Sequence, residues 1–313
     1  MERFGAVIRR YHLGPLIGLV ILLFVLSVLS HQFFTFGNLR NVALQTSVNA
    51  LLAVGMTFVI LTAGIDLSVG SSLALSSAIS AGLMASHLNV WLSALVGIAV
   101  GAACGLLNGV FVAYARLAPF IVTLGTMTLY RGLTEIYTNG NPIFNLPNGF
   151  SNFGSGSVLS IPIPVILAAL VFILGWITLH RSTYGRRIYA IGGNERVAYL
   201  AGVPVKKYLV SVYVISGVLA SIAGLVLTSR LSSAEPTAGT GYELDAITAV
   251  VLGGTSLFGG EGAILGTLVG ALILGVISNG LNLLNVNSFY QDAIKGLIIL
   301  AAIMLDRKKA NSR

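Results

Sequence analysis

The chain contains 313 residues, of which 56% are apolar and only 9% are charged, and its mean hydropathy is +0.91. Soluble domains carry about 25% charged residues, so this composition excludes a soluble globular fold and predicts an all-α polytopic membrane protein. The formal charge of +8 comes from short Lys and Arg clusters between apolar stretches, without interleaved aromatic residues, so no nucleic-acid partner is expected. The single cysteine, Cys104, leaves no intrachain disulfide or thiolate metal site.

About ten apolar stretches are long enough to cross a bilayer as helices, which takes roughly 17 to 25 residues each. The first follows Arg9 and Arg10 as a signal peptide would, but it is long and lacks an Ala-x-Ala cleavage site, which predicts a retained span. The second and third are separated only by the tripeptide 64–66, and the eighth is short and rich in Gly and Thr, so these are candidates for broken helices. The stretches cover residues 13–31, 44–63, 67–86, 91–115, 119–137, 162–180, 207–229, 243–258, 263–284 and 289–305.

Lys and Arg in short loops favour the cytoplasmic side of a membrane. With ten spans, one side holds the basic clusters before the first span and after the fourth, sixth and tenth spans. The opposite side holds Arg40, the uncharged segment 138–161 and the segment 230–243. This distribution predicts a multi-pass protein with both termini in the cytoplasm.

Two parts of the sequence resemble each other. Residues 95–109 match residues 264–280, with the pattern Gly, Gly, Ala at 97, 101 and 102 and again at 266, 270 and 271. A weaker match, IDLS at 65–68 and LDAIT at 244–248, precedes each. The matched spans are five helices apart and therefore run in opposite directions, as two inverted five-helix halves require. Small-residue helix packing produces similar matches, so the residues alone leave both explanations open.

One hydrophilic island, residues 186–207, lies between two apolar stretches. Asn194 is predicted to cap a short helix there, with Glu195 at the helix end that favours negative charge and Gly202 at the terminus. Because the flanking stretches need lipid, the island is expected to be an exposed loop that grips a soluble partner. A capped surface helix without a partner is the alternative.

Polar side chains within the predicted spans are candidates for a translocation path or gate, because a charge at the bilayer centre costs on the order of 3 kcal/mol. The three asparagines among them either line a polar path or hold helices together. The candidates are Asp66, Asn108, Arg131, Glu135, Asp245, Asn279 and Asn282.

Local explanations exist for most of these charges. The two aspartates stand where helices can begin and are expected to cap free backbone amides. Arg131 and Glu135 are one helical turn apart, as are Asp292 and Lys295, so each pair is expected to neutralise itself.

Two kinds of chemistry are not expected in this chain. No GxxxxGK[ST] sequence occurs, and GGEG at 259–262 lacks the lysine that a P-loop uses, so ATP is expected to be hydrolysed by another chain. The four histidines are far apart and have no HExxH spacing, so neither a metal site nor a catalytic residue is expected.

Several motifs resemble the permease subunits of bacterial ABC importers for monosaccharides, closest to the ribose permease family. These are GIDLSVG at 64–70, PFIVTLGT at 119–126, YAIGGNE at 189–195 with Ala198 and Gly202, and LSSAEPTAGTGYELDAITAVVLGGTSLFGG at 231–260. The last block is too long and irregular to be generic membrane sequence. Together the motifs span nearly the whole chain beyond the first helix.

The resemblance implies a type II importer-like fold in a single transmembrane permease domain, residues 1–313, in the bacterial inner membrane. It implies three protein partners: a second copy of the chain, a cytoplasmic ABC ATPase that binds ATP and magnesium, and a periplasmic sugar-binding protein. Membrane lipid is the surrounding partner. The chain itself would hold no cofactor.

In that family a short coupling helix inserts into the ATPase, and the resemblance assigns this role to residues 186–207, the coupling segment. The residues carried over are Gly193, Asn194, Glu195, Ala198 and Gly202, with Ala198 and Gly202 allowing close approach. One departure is that the general importer pattern begins Glu-Ala-Ala, whereas a different pair of residues, at 196 and 197, follows Glu195 here. This version of the motif is less diagnostic by itself.

Two other classes compete with this interpretation. A secondary transporter would carry protons on Glu135 or Asp292 and would need no nucleotide. A membrane-embedded enzyme is disfavoured, because no cluster of histidines, paired carboxylates or nucleophiles occurs at the predicted membrane boundaries.

Overall fold

A computed structural model of the chain describes residues 14–311, and it is predominantly helical. A short antiparallel hairpin, β1 (Ser157–Val158) and β2 (Ile161–Pro162), pairs Ser157 with Pro162 and precedes α7. The helices are α1 (Gly14–Leu29), α2 (Phe36–Leu61), α3 (Val69–Ala85), α4 (Val90–Ala113), α5 (Pro119–Thr138), α6 (Asn148–Ser155), α7 (Ile163–Arg181), α8 (Thr183–Gly193), α9 (Glu195–Leu200), α10 (Val205–Leu231), α11 (Tyr242–Leu252), α12 (Ile264–Leu283) and α13 (Ser288–Asn311).

A helix lies at each of the ten predicted apolar stretches, although the bounds differ. Five of them, α2, α4, α7, α10 and α12, are long and apolar enough to cross a membrane, and α1 and α3 are shorter apolar helices. The first predicted span begins one residue before the described part of the chain, and Arg9 and Arg10 also lie outside it.

The eighth stretch is the clearest departure from a simple span. Its helix, α11, has 11 residues and is therefore about 16 Å long at 1.5 Å per residue, roughly half of the 30 Å hydrocarbon thickness. The chain then leaves the helix at Gly253 and continues without regular structure to residue 263. The expectation of a broken helix here is confirmed. The second and third stretches form two separate helices joined by residues 62–68.

Local sequence sets several of the helix ends. Thr35 caps α2 by accepting a hydrogen bond from the Asn38 amide, and Asn89 caps α4 by accepting one from the Trp91 amide. Pro119 occupies the first position of α5, where its missing N–H costs nothing, and Asn139 ends that helix in the left-handed conformation.

The core is built around α2 and α10. In the most apolar window of α2, 83% of the residues are buried, compared with 28% for α4 and for α7. Glycines let α4 approach α10 closely: a Cβ atom on Gly101 would overlap the Gly217 carbonyl oxygen, and one on Gly105 would overlap that of Tyr213. Close approach through small residues is the expected way for helices to pack in lipid.

Residues 138–161, predicted as an uncharged loop, contain α6 and the hairpin. The α6 helix packs on the end of α10, where the Gly154 amide donates a hydrogen bond of 2.7 Å to the Ser229 hydroxyl. This segment is therefore a structured cap and not an open loop.

Candidate functional site

The coupling segment covers most of α8, all of α9 and the start of α10, and Asn194 lies between α8 and α9. The Asn194 side chain accepts a hydrogen bond of 3.0 Å from the Val197 amide, so the predicted N-cap is confirmed. Gly202 has φ of +81° just beyond α9, which is the conformation that ends helices at glycine. Glu195 lies in the first turn, as predicted.

The face of α9 that packs against the rest of the chain includes Ala198. This residue is buried, in one apolar cluster with Ile191 of α8 and Val205 of α10. Ala198 was expected to allow close approach of a partner, but it packs inside the chain, because it is the side chain of α9 that faces α8 and α10. The small side chain lets α9 lie close to its own scaffold.

Three apolar side chains of α9 project into solvent instead. Val197 is 60% exposed, Tyr199 is 69% exposed and Leu200 is 76% exposed. We call these three residues the α9 knob. Exposing these apolar side chains to water does not stabilise the chain, and neighbouring exposed apolar side chains are typical of docking surfaces. Sequence reasoning missed them, since it followed the small residues of the motif.

Side-chain hydrogen bonds join α8 to α10. The Tyr184 hydroxyl lies 2.6 Å from the Ser211 hydroxyl, and Arg187 donates a hydrogen bond of 2.7 Å to the Tyr208 hydroxyl. Burial raises the pKa of the Tyr184 phenol, so this group remains neutral at physiological pH and the tie does not depend on pH.

Backbone contacts join α8 to two irregular connections. A Cβ atom on Gly192 would overlap the carbonyl oxygen of Leu61 at the end of α2. The amide of Gly260, in the connection between α11 and α12, donates a hydrogen bond of 3.0 Å to that same oxygen. The Tyr189 hydroxyl donates a bond of 2.9 Å to the carbonyl of Gly262. Helix α8 therefore contacts the end of α2, which leads into residues 62–68, and it contacts residues 253–263.

Asp66 is the centre of a buried polar network in the α2–α3 connection. One carboxylate oxygen accepts hydrogen bonds from the Ser68 amide at 3.0 Å and the Ser68 hydroxyl at 2.7 Å. The other accepts one from Ser216 of α10 at 2.8 Å, and Asn108 of α4 donates one to the Ser68 hydroxyl at 2.8 Å. Asp66 therefore accepts a bond from the backbone amide just before α3, although α3 itself begins without a side-chain cap. The network also joins this connection to α4 and α10.

Arg131 holds the connection between α10 and α11, residues 232–241. Its guanidinium donates hydrogen bonds to the Pro236 carbonyl at 2.5 Å and the Ala238 carbonyl at 3.0 Å. Arg131 was expected to pair with Glu135, but its hydrogen bonds go to these two carbonyl oxygens of the connection. Glu135 itself is exposed.

The connection formed by residues 232–241 contacts the start of α3. A Cβ atom on Gly70 would overlap the Gly239 carbonyl oxygen and would lie 2.6 Å from a carboxylate oxygen of Glu243. Gly239 has φ of +72°, which a residue with a Cβ atom rarely adopts. Two glycines are thus needed for this crossing.

Asp245 lies in the first turn of α11 but does not act as a cap, since the helix begins at Gly241 without a side-chain hydrogen bond. Its carboxylate pairs with Lys295 of α13 at 3.3 Å and accepts a bond of 3.5 Å from Asn49 of α2. The predicted pairing of Lys295 with Asp292 is therefore wrong. The lysine instead pairs with a carboxylate on another helix, and because that carboxylate is buried, leaving it unpaired would be destabilising.

The remaining amides contact neighbouring side chains. Asn38 and Asn279 donate hydrogen bonds to each other's carbonyl oxygens at 2.9 and 2.8 Å, joining α2 to α12. Asn282 accepts a bond of 2.8 Å from Gln291 of α13. These contacts are those of residues that hold helices together.

The profile of the family described as branched-chain amino acid transport system, permease component, matches residues 38–303. The chain belongs to this permease family. The ribose import permease protein of Bacillus subtilis (strain 168) is 53% identical over 300 residues, which are 95% of this chain and 93% of that protein. That of Escherichia coli (strain K12) is 52% identical over 301 residues, 94% and 93% of the two chains.

A more distant relative of the permease is the D-allose transport system permease protein of Escherichia coli (strain K12), which is 43% identical over 296 residues, 94% of this chain and 91% of that protein. No solved structure matches the chain. The family match and the identities with the ribose import permeases confirm the resemblance that the motifs indicated.

Two further features of the permease escaped sequence reasoning. Ser216 binds Asp66, but a lone serine in an apolar helix gives no signal. A cleft of about 1060 Å³ separates α9 from the α4–α5 connection, and Arg116, Tyr199 and Lys206 line it. In the sequence, the basic residues of this cleft indicated only the orientation of the chain in the membrane.

Proposed function

We propose that this chain is the transmembrane permease subunit of an ATP-binding-cassette importer that carries a monosaccharide, ribose or a related sugar, across the inner membrane. The observation that carries the proposal is the identity of 53% with a ribose import permease over 95% of the chain. The D-allose relative at 43% identity extends the substrate class to other monosaccharides.

The proposed topology has ten crossings in a single domain, with both termini cytoplasmic, and two inverted five-helix halves in a type II importer-like arrangement. Contacts of the matched glycines support the halves. A Cβ atom on Gly97 of α4 would lie 2.9 Å from Ser80 of α3, and one on Gly266 of α12 would overlap Gly253 at the end of α11. In each half the matched glycine packs against the preceding short helix.

The proposed coupling element is α9, and the exposed α9 knob supports this role. A cytoplasmic ATPase that binds ATP and magnesium would receive the knob in a groove, as helix-in-groove recognition requires. Closure of two ATPase domains would then move the α8–α9 units of two permease copies and switch the central cavity between outward and inward access.

The path for the sugar would be polar but weakly binding. A neutral sugar needs no charged relay, so Asp66 and Asp245 serve in this proposal as fixed structural anchors of gate segments and not as carriers. Arg131 would hold the segment 232–241 at the edge of the path, and the exposed Glu135 would face it. Specificity would reside mainly in the periplasmic sugar-binding protein.

Transport in proteoliposomes tests the proposal. The permease is reconstituted with its ATPase and sugar-binding protein, and uptake of labelled ribose is followed. We expect uptake that needs internal ATP, is blocked by vanadate and is unaffected by an uncoupler. Uptake that collapses with the uncoupler and ignores removal of the ATPase would instead establish the proton-coupled secondary transporter.

A further inference from the structure

An apolar groove of about 580 Å³ runs along the outside of the bundle between α2, α7 and α12. Its floor includes small side chains, among them Ala43 and Ala50 of α2 and the buried Ala168 of α7, and the exposed Ala169 also lines it. Larger neighbours form the walls and open toward the membrane: Ile173 is 56% exposed and Leu265 is 57% exposed. The groove lies apart from the coupling segment and from the Asp66 network.

The groove is long enough to hold an acyl chain. It extends along α7 from Val165 to Trp176, which is about 16 Å at 1.5 Å per residue. Water does not fill a cavity with apolar walls, whereas an extended acyl chain supplies the missing contacts along the whole groove.

The end of the groove at Trp176 carries positive charge. The Arg181 guanidinium lies 5.6 Å from the centre of the Trp176 ring, and His180 stacks on the same ring at 5.7 Å. Among the described residues no carboxylate lies within ion-pair distance of Arg181. A guanidinium held over an aromatic ring keeps its N–H groups available for phosphate oxygens, and tryptophan is typical of the membrane interface.

We propose that this groove binds an anionic phospholipid of the cytoplasmic leaflet, with one acyl chain between α2, α7 and α12 and the headgroup phosphate at Arg181. The leaflet follows from the proposed topology, in which α7 ends on the cytoplasmic side. A second copy of the chain is the other occupant that an apolar groove could take, and the experiment below distinguishes it from a lipid.

Native mass spectrometry of the purified full-length permease tests this assignment. The protein in detergent is incubated with equal amounts of phosphatidylglycerol and phosphatidylcholine that carry the same acyl chains, and the retained lipids are counted. We expect one phosphatidylglycerol per chain, preferred about fivefold, the factor that one Arg near an anionic surface contributes. Arg181→Gln should bring the preference close to one, and Ala169→Trp should reduce retention of both lipids.

Matched controls separate the groove from general effects. Leu174→Trp adds the same bulk on α7, at a position that is 54% exposed and does not line the groove. Arg116→Gln removes a cation from the other cleft. Both should behave as the wild type. If Ala169→Trp does not fold, Ala169→Leu replaces it in the comparison.

Three results would overturn the proposal. The first is equal retention of the two lipids by the wild type. The second is an Ala169 variant that retains lipid as the wild type does. The third is an Ala169 variant that dissociates a dimer while its lipid count is unchanged, which would assign the groove to a second copy. None of these readouts depends on transport, so failure here leaves the proposed import function standing.

Discussion

Replacing Leu200 by alanine should weaken binding of the ATPase about twentyfold while leaving the fold of the permease intact. The side chain is 76% exposed in the free chain, so little of its burial contributes to folding. Three carbon atoms are removed, each worth about 0.8 kcal/mol when buried. Scaling their sum by the exposed fraction gives about 1.8 kcal/mol that docking can recover, and 1.4 kcal/mol corresponds to tenfold in affinity.

The assay is titration of the purified ATPase onto permease held in lipid nanodiscs, with the dissociation constant as the readout. Leu174→Ala is the matched control, because this leucine is also exposed, at 54%, but lies on α7 away from the knob. Its affinity should equal that of the wild type. A dissociation constant for Leu200→Ala within twofold of the wild type would refute the docking role of the α9 knob.

Three further substitutions probe the scaffold. Gly192→Ala should lower the unfolding temperature in detergent, since the overlap costs about 1–3 kcal/mol, while Gly193→Ala, whose Cβ atom would meet nothing within 4 Å, should be neutral. Asp66→Leu should destabilise by about 2–5 kcal/mol because buried donors lose their acceptor, and Asp66→Asn should destabilise less. Lys295→Met should destabilise by leaving a buried carboxylate unpaired, and adding Asp245→Asn should restore part of the loss in a double-mutant cycle.

The coupling segment shows which structural features local sequence can predict. The cap at Asn194 and the end of α9 at Gly202 depend on residues within four positions of each other, so the sequence predicts both correctly. The direction in which Ala198 points depends on Ile191 and Val205, which belong to other helices. Orientation of a short helix about its axis is a tertiary property, and the exposed α9 knob therefore became visible only in the fold.

The polar residues within the predicted spans also show what local sequence cannot predict. Sequence spacing identified the charged and amide residues that need partners, because burial in lipid demands them. It assigned the nearest partner along the chain, as for Lys295 and Asp292. The fold instead offers Asp245, 50 residues away, and pairs Asn279 with an asparagine 241 residues away. No local period encodes such contacts.

A chain of close backbone contacts connects the coupling segment with the segment that Arg131 holds. It runs from Gly192 to the end of α2, through residues 62–68 to the start of α3, and across Gly70 to Gly239. Glycines at these contacts leave no flexible side chain to absorb a displacement, and packed elements transmit strain. Gly70→Ala should therefore reduce sugar uptake and ATP-coupled cycling severely while the affinity for the ATPase stays within twofold of the wild type.

Leu200→Ala should show the opposite pattern, because it should weaken binding of the ATPase to the permease directly. Measuring binding and uptake on the same nanodisc and proteoliposome preparations separates the two. Gly125→Ala is a suitable control, because the added Cβ atom of this helical glycine would meet nothing within 4 Å. A methyl group between Gly70 and the Gly239 carbonyl must separate α3 from residues 232–241. Normal uptake by Gly70→Ala would therefore show that movement at α8 reaches the path by another route.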